Sequence, residues 1–140
     1  MKCMPLFASA ALLGAGFAAP SLAQDSVFLG TNMFGNQVPE GGEEGATGDF
    51  NAAIDFAKGQ ICYYLEFDEL PGADGANIYQ AEKGKSGPAV VPLPLSDGAD
   101  EVCTSVDKTL LEAIAKQPTD YYIAVRTPEH PDGAIRGQLD

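Results

Sequence analysis

The sequence has few histidines, which bind transition metals, and few lysines and arginines, which bind nucleic acids. It contains one histidine, and 8 lysines and arginines against 20 aspartates and glutamates, for a formal net charge of −12 at pH 7. A typical transition-metal site needs three or four nitrogen or sulfur ligands, more than one histidine can supply. An acidic chain also repels nucleic acids and anionic lipids. We therefore expect no nucleic-acid partner, no metal and no cofactor.

Recognisable catalytic motifs are also missing. No Gly-x-Ser-x-Gly segment supplies a serine nucleophile, and serine-hydrolase chemistry would need one beside the histidine. That histidine, His130, follows Glu129 in a predicted hairpin loop, which favours an exposed turn residue over a general base or a lone ligand. We predict no catalytic residue and no enzymatic activity.

Long apolar runs are confined to the N-terminus. The segment Met1–Ala23 has the three parts of a secretory signal: Lys2, an uncharged run over Leu6–Ala19, and a Ser-Leu-Ala ending. The uncharged run is shorter than the roughly 20 apolar residues that cross a bilayer, so a cleaved signal is favoured over a membrane anchor. We predict a signal peptide over residues 1–23, one domain over 24–140, no membrane span after cleavage, and a periplasmic or secreted protein.

Two cysteines, Cys62 and Cys103, remain after the predicted cleavage. An exported chain meets an oxidising compartment, and two cysteines allow one intramolecular pairing. The bridge would close a loop of about 40 residues, worth roughly 4 kcal/mol in chain-entropy models. The alternatives, a metal pair or a reactive thiol, lack supporting ligands nearby. We predict a disulfide between Cys62 and Cys103.

Alternating apolar and polar residues predict an antiparallel β-domain. In one predicted strand Cys62 points away from the apolar face, so its bridge should fasten another segment to the outside of the sheet. Pro92 and Pro94 lack amide donors and indicate an edge strand. Pro71–Pro88 is interpreted as a glycine-rich connection. The predicted strands are Asp25–Phe34, Phe50–Phe56, Ile61–Phe67, Ala89–Leu95, Tyr121–Arg126 and Ile135–Leu139.

One short helix is predicted after Cys103. Asp107 is a good N-cap, Leu110, Leu111 and Ile114 form an apolar stripe, and Pro118 ends the segment. The disulfide should anchor this helix to the outer face of the sheet. Together the elements predict an antiparallel β-sandwich or Greek-key barrel with one short helix.

Four segments of the sequence resemble the CHRD domain, which is named after the repeats of chordin and is widespread in exported bacterial proteins. The most distinctive is the ending Pro131–Leu139. The resemblance runs from about Ser26 to Leu139 and implies an immunoglobulin-like or superoxide-dismutase-like β-barrel, with no settled activity. The other three segments are Ile61–Leu65, Gly84–Leu93 and Tyr121–Val125.

The chain departs from the family pattern at its histidines. Members commonly carry a His-x-His pair before the glycine-rich loop and a third histidine in the Tyr-Tyr strand, and such a set could bind one metal. The aligned positions here are Asn77-Ile78-Tyr79 and Arg126. A metal role implied by the family is therefore in doubt at these positions.

Three further groups of residues are candidates for binding. Arg136 could hold an anion, although pairing with Asp132 is favoured. Four tyrosines could form an aromatic surface, although inward tyrosines are more often core. Acidic loops could hold calcium, although a solvated surface is favoured because their spacing is not that of an EF-hand. The tyrosines are Tyr63, Tyr64, Tyr121 and Tyr122; the acidic residues are Glu40, Glu43, Glu44, Asp49, Asp97, Asp100 and Glu101.

The sequence favours an exported, non-enzymatic binding or structural module of the cell envelope or extracellular space. Its partner would be a protein or polymer that the sequence does not identify, and the binding residues and oligomeric state are equally undefined. The alternative is a metal-binding or redox β-barrel, related to superoxide-dismutase-like folds, that has lost the usual family histidines. A third, weaker hypothesis is a calcium-stabilised module.

Overall fold

The computed structural model describes residues 14–16, 26–96 and 100–140. The predicted signal peptide lies almost entirely outside these residues, as does Asp97 of the second acidic loop. No helix in the described part of the chain combines the length and the hydropathy needed to cross a bilayer.

Eight strands form one antiparallel sheet with the order β5-β4-β7-β8-β1-β2-β3-β6. The sheet curls into a nearly closed barrel, and strands account for 45% of the structure. The predicted fold class, mainly antiparallel β with one short helix, is confirmed. The elements are β1 Ser26–Phe34, β2 Thr47–Asp55, β3 Gln60–Asp68, β4 Gly75–Gln80, β5 Ala89–Leu93, β6 Val102–Ser105, α1 Lys108–Lys116, β7 Tyr121–Arg126 and β8 Ile135–Gln138.

A hydrogen bond joins the two ends of this sheet. Strands β5 and β6 are the terminal strands. The Tyr63 hydroxyl, in the strand next to β6, donates to the carbonyl of Pro94, which directly follows β5, at 2.6 Å. The contact spans the opening that backbone pairing leaves between the two ends.

The core fills the inside of the barrel. Alternate residues of the strands point inward, as the sequence pattern predicts, and the stripe of α1 joins them through Leu111 and Ile114. The prediction that this helix lies on the outer face of the sheet is therefore wrong, because its apolar stripe is buried with the inward-facing side chains. The largest fully buried side chains are Met33, Phe50, Ile54, Ile61, Tyr63, Ile78, Val91, Leu111, Ile114, Ile123, Ile135 and Leu139.

The predicted disulfide is present. Cys62 of β3 and Cys103 of β6 are directly opposite each other in the sheet, and their sulfurs are 2.04 Å apart. Cys103 is exposed and Cys62 is half-buried, so the bridge lies on the outer face, as the alternation predicts. It fastens the terminal strand β6 to β3, rather than fastening the helix.

Two strands differ from the sequence expectations. Strand β4 lies within the stretch that the sequence indicates to be a glycine-rich connection, and it pairs with both β5 and β7. Strand β6 has four residues and pairs with β3. Strand β5 lies at one end of the sheet, which confirms the predicted edge strand.

Candidate functional site

The outer face of β4, β7 and β8 concentrates polar and aromatic side chains. In the strand register Tyr79 lies opposite Tyr122, which lies opposite Gln138. Two residues along each strand, Asn77 lies opposite Ala124, which lies opposite Arg136. Because successive residues of a strand point to opposite faces, these residues and Arg126 share one face of the sheet. The small Ala124 leaves a depression between the longer side chains.

Three of these side chains form a stack. The rings of Tyr79 and Tyr122 lie 5.0 Å apart and are nearly parallel, at 8°. The guanidinium of Arg136 lies over the Tyr122 ring, 3.4 Å from its centroid. An arginine over a tyrosine face is attracted by the ring quadrupole, so Tyr122 offsets part of the cost of burying the charge. The stack fixes the orientation of the Arg136 guanidinium.

Arg136 has no carboxylate partner among the described residues. Its side chain is 3% exposed. Its Nη2 donates to the Glu82 carbonyl at 3.2 Å and to Gln138 Oε1 at 3.3 Å. Its buried Nη1 has no hydrogen-bond partner within residues 26–96 and 100–140. Burial lowers the pKa of Arg136. The expected pairing with Asp132 is not formed, because the Arg136 side chain stacks on Tyr122 and bonds to residue 82.

The 81–88 loop, which connects β4 to β5, covers one side of this stack. The backbone N–H of Gly87 donates to the Tyr122 hydroxyl at 3.2 Å. Gln138 Nε2 donates to the Ala81 carbonyl at 2.8 Å. The Gln80 N–H donates to the Pro88 carbonyl at 3.0 Å, which closes the base of the loop. The loop is thus fixed by side chains of β7 and β8.

A second arginine lies on the same face. Arg126 of β7 is half-buried, and its guanidinium lies over Gly75, where a Cβ would collide with Nη2. In the part of the chain that the structure describes, its buried Nε has no hydrogen-bond partner, and neither has the buried Oδ1 of Asn77. Burial raises the pKa of Tyr79, and nearby Arg126 partly opposes that shift. Arg136 lies opposite Ala124 and Arg126 lies two residues further along β7, and neither has a neutralising contact in the described part of the chain.

This face of the sheet bears a cleft of about 450 Å³. Both arginines line it, with Tyr79 and Tyr122, while Glu40 and Asp132 are exposed acidic residues of its lining. A larger cleft of about 780 Å³ runs along exposed side chains such as Asn32 and Asn51. The smaller cleft is the better candidate, because its lining includes a buried guanidinium with an unpaired nitrogen. The remaining lining residues are Val38, Pro39, Ser86, Gly87, Ala89, Ala124 and Pro131.

Sequence reasoning identified Arg136 and Tyr122 as candidates but not their surroundings. The sequence singled out Tyr79 and Arg126 only as positions where members of the family carry histidines. The structure places both residues with Asn77 on one face of the sheet. Ala76 and Ile78, which alternate with Asn77 and Tyr79, are buried and supply the signal for β4. This alternation covers only six residues, and the glycines and prolines on either side of it are typical of a loop.

His130 makes a contact that the sequence does not predict. Its Nε2 lies 3.2 Å from Glu43 Oε2, across 87 residues of chain, and it is half-buried rather than exposed. Glu129 adds a third potential ligand atom within 4.8 Å of the other two. Within the described residues, no group of three potential ligands includes Glu40, Glu44 or Asp49.

The other candidate residues are structural or exposed. Tyr63 and Tyr121 are buried in the core, as expected for inward tyrosines, whereas Tyr64 is 45% exposed on the outer face. Cys62 and Cys103 are bonded to each other. Glu101 is close enough to both sulfurs to complete a group of three potential ligand atoms, but the disulfide occupies the sulfurs.

The comparisons with known proteins give one finding about the family. The family model described as the CHRD domain matches residues 30–139, nearly the whole described domain. A search of curated proteins finds no significant match, and neither does a search of solved structures.

Proposed function

The chain belongs to the CHRD domain family, and we propose that it is an exported, non-enzymatic binding module that holds its ligand in the cleft beside Arg136. The observation that carries the proposal is the buried guanidinium of Arg136, which lines the cleft with Nη1 unpaired. Native proteins satisfy most buried polar groups, and each exception calls for an explanation. A ligand that accepts a hydrogen bond from this nitrogen supplies one.

The geometry of the cleft supports binding. The Arg136 guanidinium is fixed by the Tyr122 ring and by the Glu82 carbonyl, so little side-chain entropy is lost when a ligand meets it. The volume of about 450 Å³ lies within the range of small-molecule sites, roughly 300–1,000 Å³. A polymer partner would accordingly insert one residue or one terminal group into the cleft.

Two observations support export. The disulfide between Cys62 and Cys103 is of the kind that persists in oxidising compartments. The first 23 residues have the pattern of a secretory signal. Intact mass measurement of protein recovered from a bacterial periplasm tests this part: a chain that begins at Gln24 and carries one disulfide is expected. A chain that keeps Met1 and accumulates in the cytoplasm would contradict it.

Binding at the cleft is tested with two matched serine variants. Ser86 is exposed in the cleft lining, so Ser86→Trp should obstruct it, whereas Ser105→Trp places the same bulk on the exposed surface of β6. The mature protein is screened by thermal shift against a library of metabolites, sugars and peptides. Ligands that stabilise the wild type and Ser105→Trp, but not Ser86→Trp, are expected. Their recovery with unchanged mass supports a binding role; a chemically altered ligand would instead indicate an enzyme.

The metal-binding alternative would rest on Glu43, Glu129 and His130, whose ligand atoms lie within 4.8 Å of one another. Native mass spectrometry of the periplasmic protein distinguishes the two. A stoichiometric transition metal that is lost in His130→Gln would favour the alternative.

A further inference from the structure

We infer that the cleft holds a single carboxylate group between Arg136 and Arg126, on a small ligand that carries a hydrogen-bond donor beside it. This inference rests on the proposed function, since it names the ligand class of the same cleft.

The buried side-chain atoms without partners are concentrated in one place. Within the described residues they are Asn77 Oδ1, Arg126 Nε and Arg136 Nη1. The register puts Asn77 and Arg136 on either side of Ala124, and Arg126 two residues further along β7. Leaving a buried polar group unpaired costs about 1–3 kcal/mol, and more when the group is charged. Arg126 and Arg136 both line the cleft, so two of the three unpaired atoms belong to side chains of one candidate ligand site.

The chemistry of these atoms indicates an anion. Two of the three are guanidinium nitrogens, which only donate hydrogen bonds. The ion pairs within 4 Å in the described part of the chain join Lys85 to Glu82 and His130 to Glu43, so neither arginine has an acidic partner there. A guanidinium matches the two oxygens of a carboxylate, and such charge-assisted bonds are the strong ones. Tyr122 orients Arg136 but supplies no acceptor for Nη1.

The surrounding charges favour one negative charge over several. The chain carries a formal net charge of −12, which opposes the approach of polyanions and multiply charged phosphates. The acidic Glu40 and Asp132 also line the cleft. These two carboxylates are acceptors, so they suit a ligand hydroxyl or ammonium group. A hydroxy acid, an amino acid or a sugar acid combines the two features.

The test compares carboxylates with analogues that carry a neutral group in place of the carboxylate, here called neutral analogues, by isothermal titration calorimetry on the mature, oxidised protein. The pairs are lactate and lactamide, glycine and glycinamide, and glucuronate and glucose; inorganic phosphate is the anion control. At least one carboxylate is expected to bind about 10-fold more tightly than its neutral analogue and than phosphate, as expected for one charge-assisted hydrogen bond. The pair that responds identifies which donor, hydroxyl, ammonium or sugar ring, accompanies the carboxylate.

Variants assign the binding to the arginines. Arg126→Gln changes a half-buried residue and should weaken carboxylate binding about 10-fold or more. Lys58→Gln removes an exposed positive charge in the β2–β3 turn and should leave the affinity unchanged. Arg136→Lys keeps the charge without the fork geometry and should also weaken binding. Because Arg136 is buried, Arg126→Gln decides the outcome if Arg136→Lys does not fold.

Failure of this inference can be told apart from failure of the proposed function. If no carboxylate binds more tightly than its neutral analogue, or if Arg126→Gln leaves the affinity unchanged, the inference is overturned. In that case a neutral or phosphorylated ligand whose binding Ser86→Trp abolishes would leave the binding module standing. If Ser86→Trp abolishes the binding of no ligand, the proposed function fails as well.

Discussion

Tyr63 donates a hydrogen bond of 2.6 Å to the carbonyl of Pro94 and so connects the two ends of a sheet whose terminal strands do not pair. The two residues are 31 positions apart in the chain. Tyr63 is buried, and the centroids of its ring and the Phe50 ring are 5.7 Å apart. Its ring is therefore part of the core, while its hydroxyl reaches the opening between the terminal strands. One side chain thereby serves both packing and closure.

Removal of this hydroxyl should lower stability without disturbing the core. Tyr63→Phe keeps the ring and loses the bond to Pro94, so the free energy of unfolding should fall by about 1 kcal/mol. Urea unfolding followed by circular dichroism measures the change. Tyr64→Phe is the matched control, because Tyr64 is exposed on the next position of β3. Equal effects of the two variants would contradict a closing role for Tyr63.

Stability should fall at alkaline pH. Burial raises the pKa of Tyr63 from 10.0 to about 12. The folded state therefore favours the neutral phenol, and this contribution is complete below about pH 10 and is lost as the pH rises towards 12. Burial also raises the pKa values of Tyr79 and Tyr121. Urea midpoints measured from pH 8 to 12 should fall less steeply in Tyr63→Phe than in the wild type; parallel profiles would contradict the assignment.

Loss of the disulfide should destabilise the domain substantially. The bridge joins residues 41 positions apart and holds the four-residue strand β6. The double variant Cys62→Ser/Cys103→Ser should lose about 2–4 kcal/mol, because the unfolded chain regains the freedom of the loop. Guanidinium unfolding with and without a reductant measures this. The reductant should shift the wild type towards the double variant and leave the double variant unchanged.

Gly87 should be required for the position of the 81–88 loop. A Cβ at this residue would collide with the Gln80 carbonyl, which belongs to the backbone and has little room to move. In Gly87→Ala the loop should therefore shift, and the hydrogen bond from the Gln80 N–H to the Pro88 carbonyl should weaken. Hydrogen exchange at Gln80 should accelerate by about 10-fold or more. Ser86→Ala, at the exposed neighbouring position, should leave that exchange rate unchanged.

The helix should depend on its buried stripe rather than on its N-cap side chain. Asp107 occupies the N-cap position of α1, as the sequence predicts, but its side chain makes no capping hydrogen bond. Asp107→Ala should therefore cost about 0.5 kcal/mol or less, below the usual value for a lost cap. Leu111→Ala should cost about 2–5 kcal/mol, because Leu111 is fully buried. Urea unfolding compares the two variants; a larger loss in Asp107→Ala would contradict the structure.

Sequence reasoning succeeded where the pattern is local. The alternation over β2 and β3 predicts the hairpin, and the same alternation puts Cys62 on the outer face. The apolar spacing of α1 predicts the helix but not the surface that it covers. That choice depends on how the whole barrel closes, since the stripe of Leu111 and Ile114 packs with residues from distant strands.

The candidate site was less predictable because its contacts join distant parts of the chain. Asp132 is a plausible partner for Arg136 by proximity in sequence, but the observed acceptor is the carbonyl of Glu82, 54 residues away. His130 likewise meets Glu43 across 87 residues. Tyr79 lies beside Tyr122 because β4 pairs with β7. To predict this pair from the sequence, one would have to recognise β4, which has only six residues and lies among glycines and prolines.

Both terminal strands have features that discourage the addition of another strand. Strand β5 contains Pro92 and is followed by Pro94, which removes amide donors, and β6 has four residues and is bound covalently to β3. Exposed edges otherwise template the addition of a strand from another chain. These features disfavour polymerisation of this protein edge to edge. We therefore expect a macromolecule that recognises the described domain to dock against side chains and loops rather than to pair with a terminal strand.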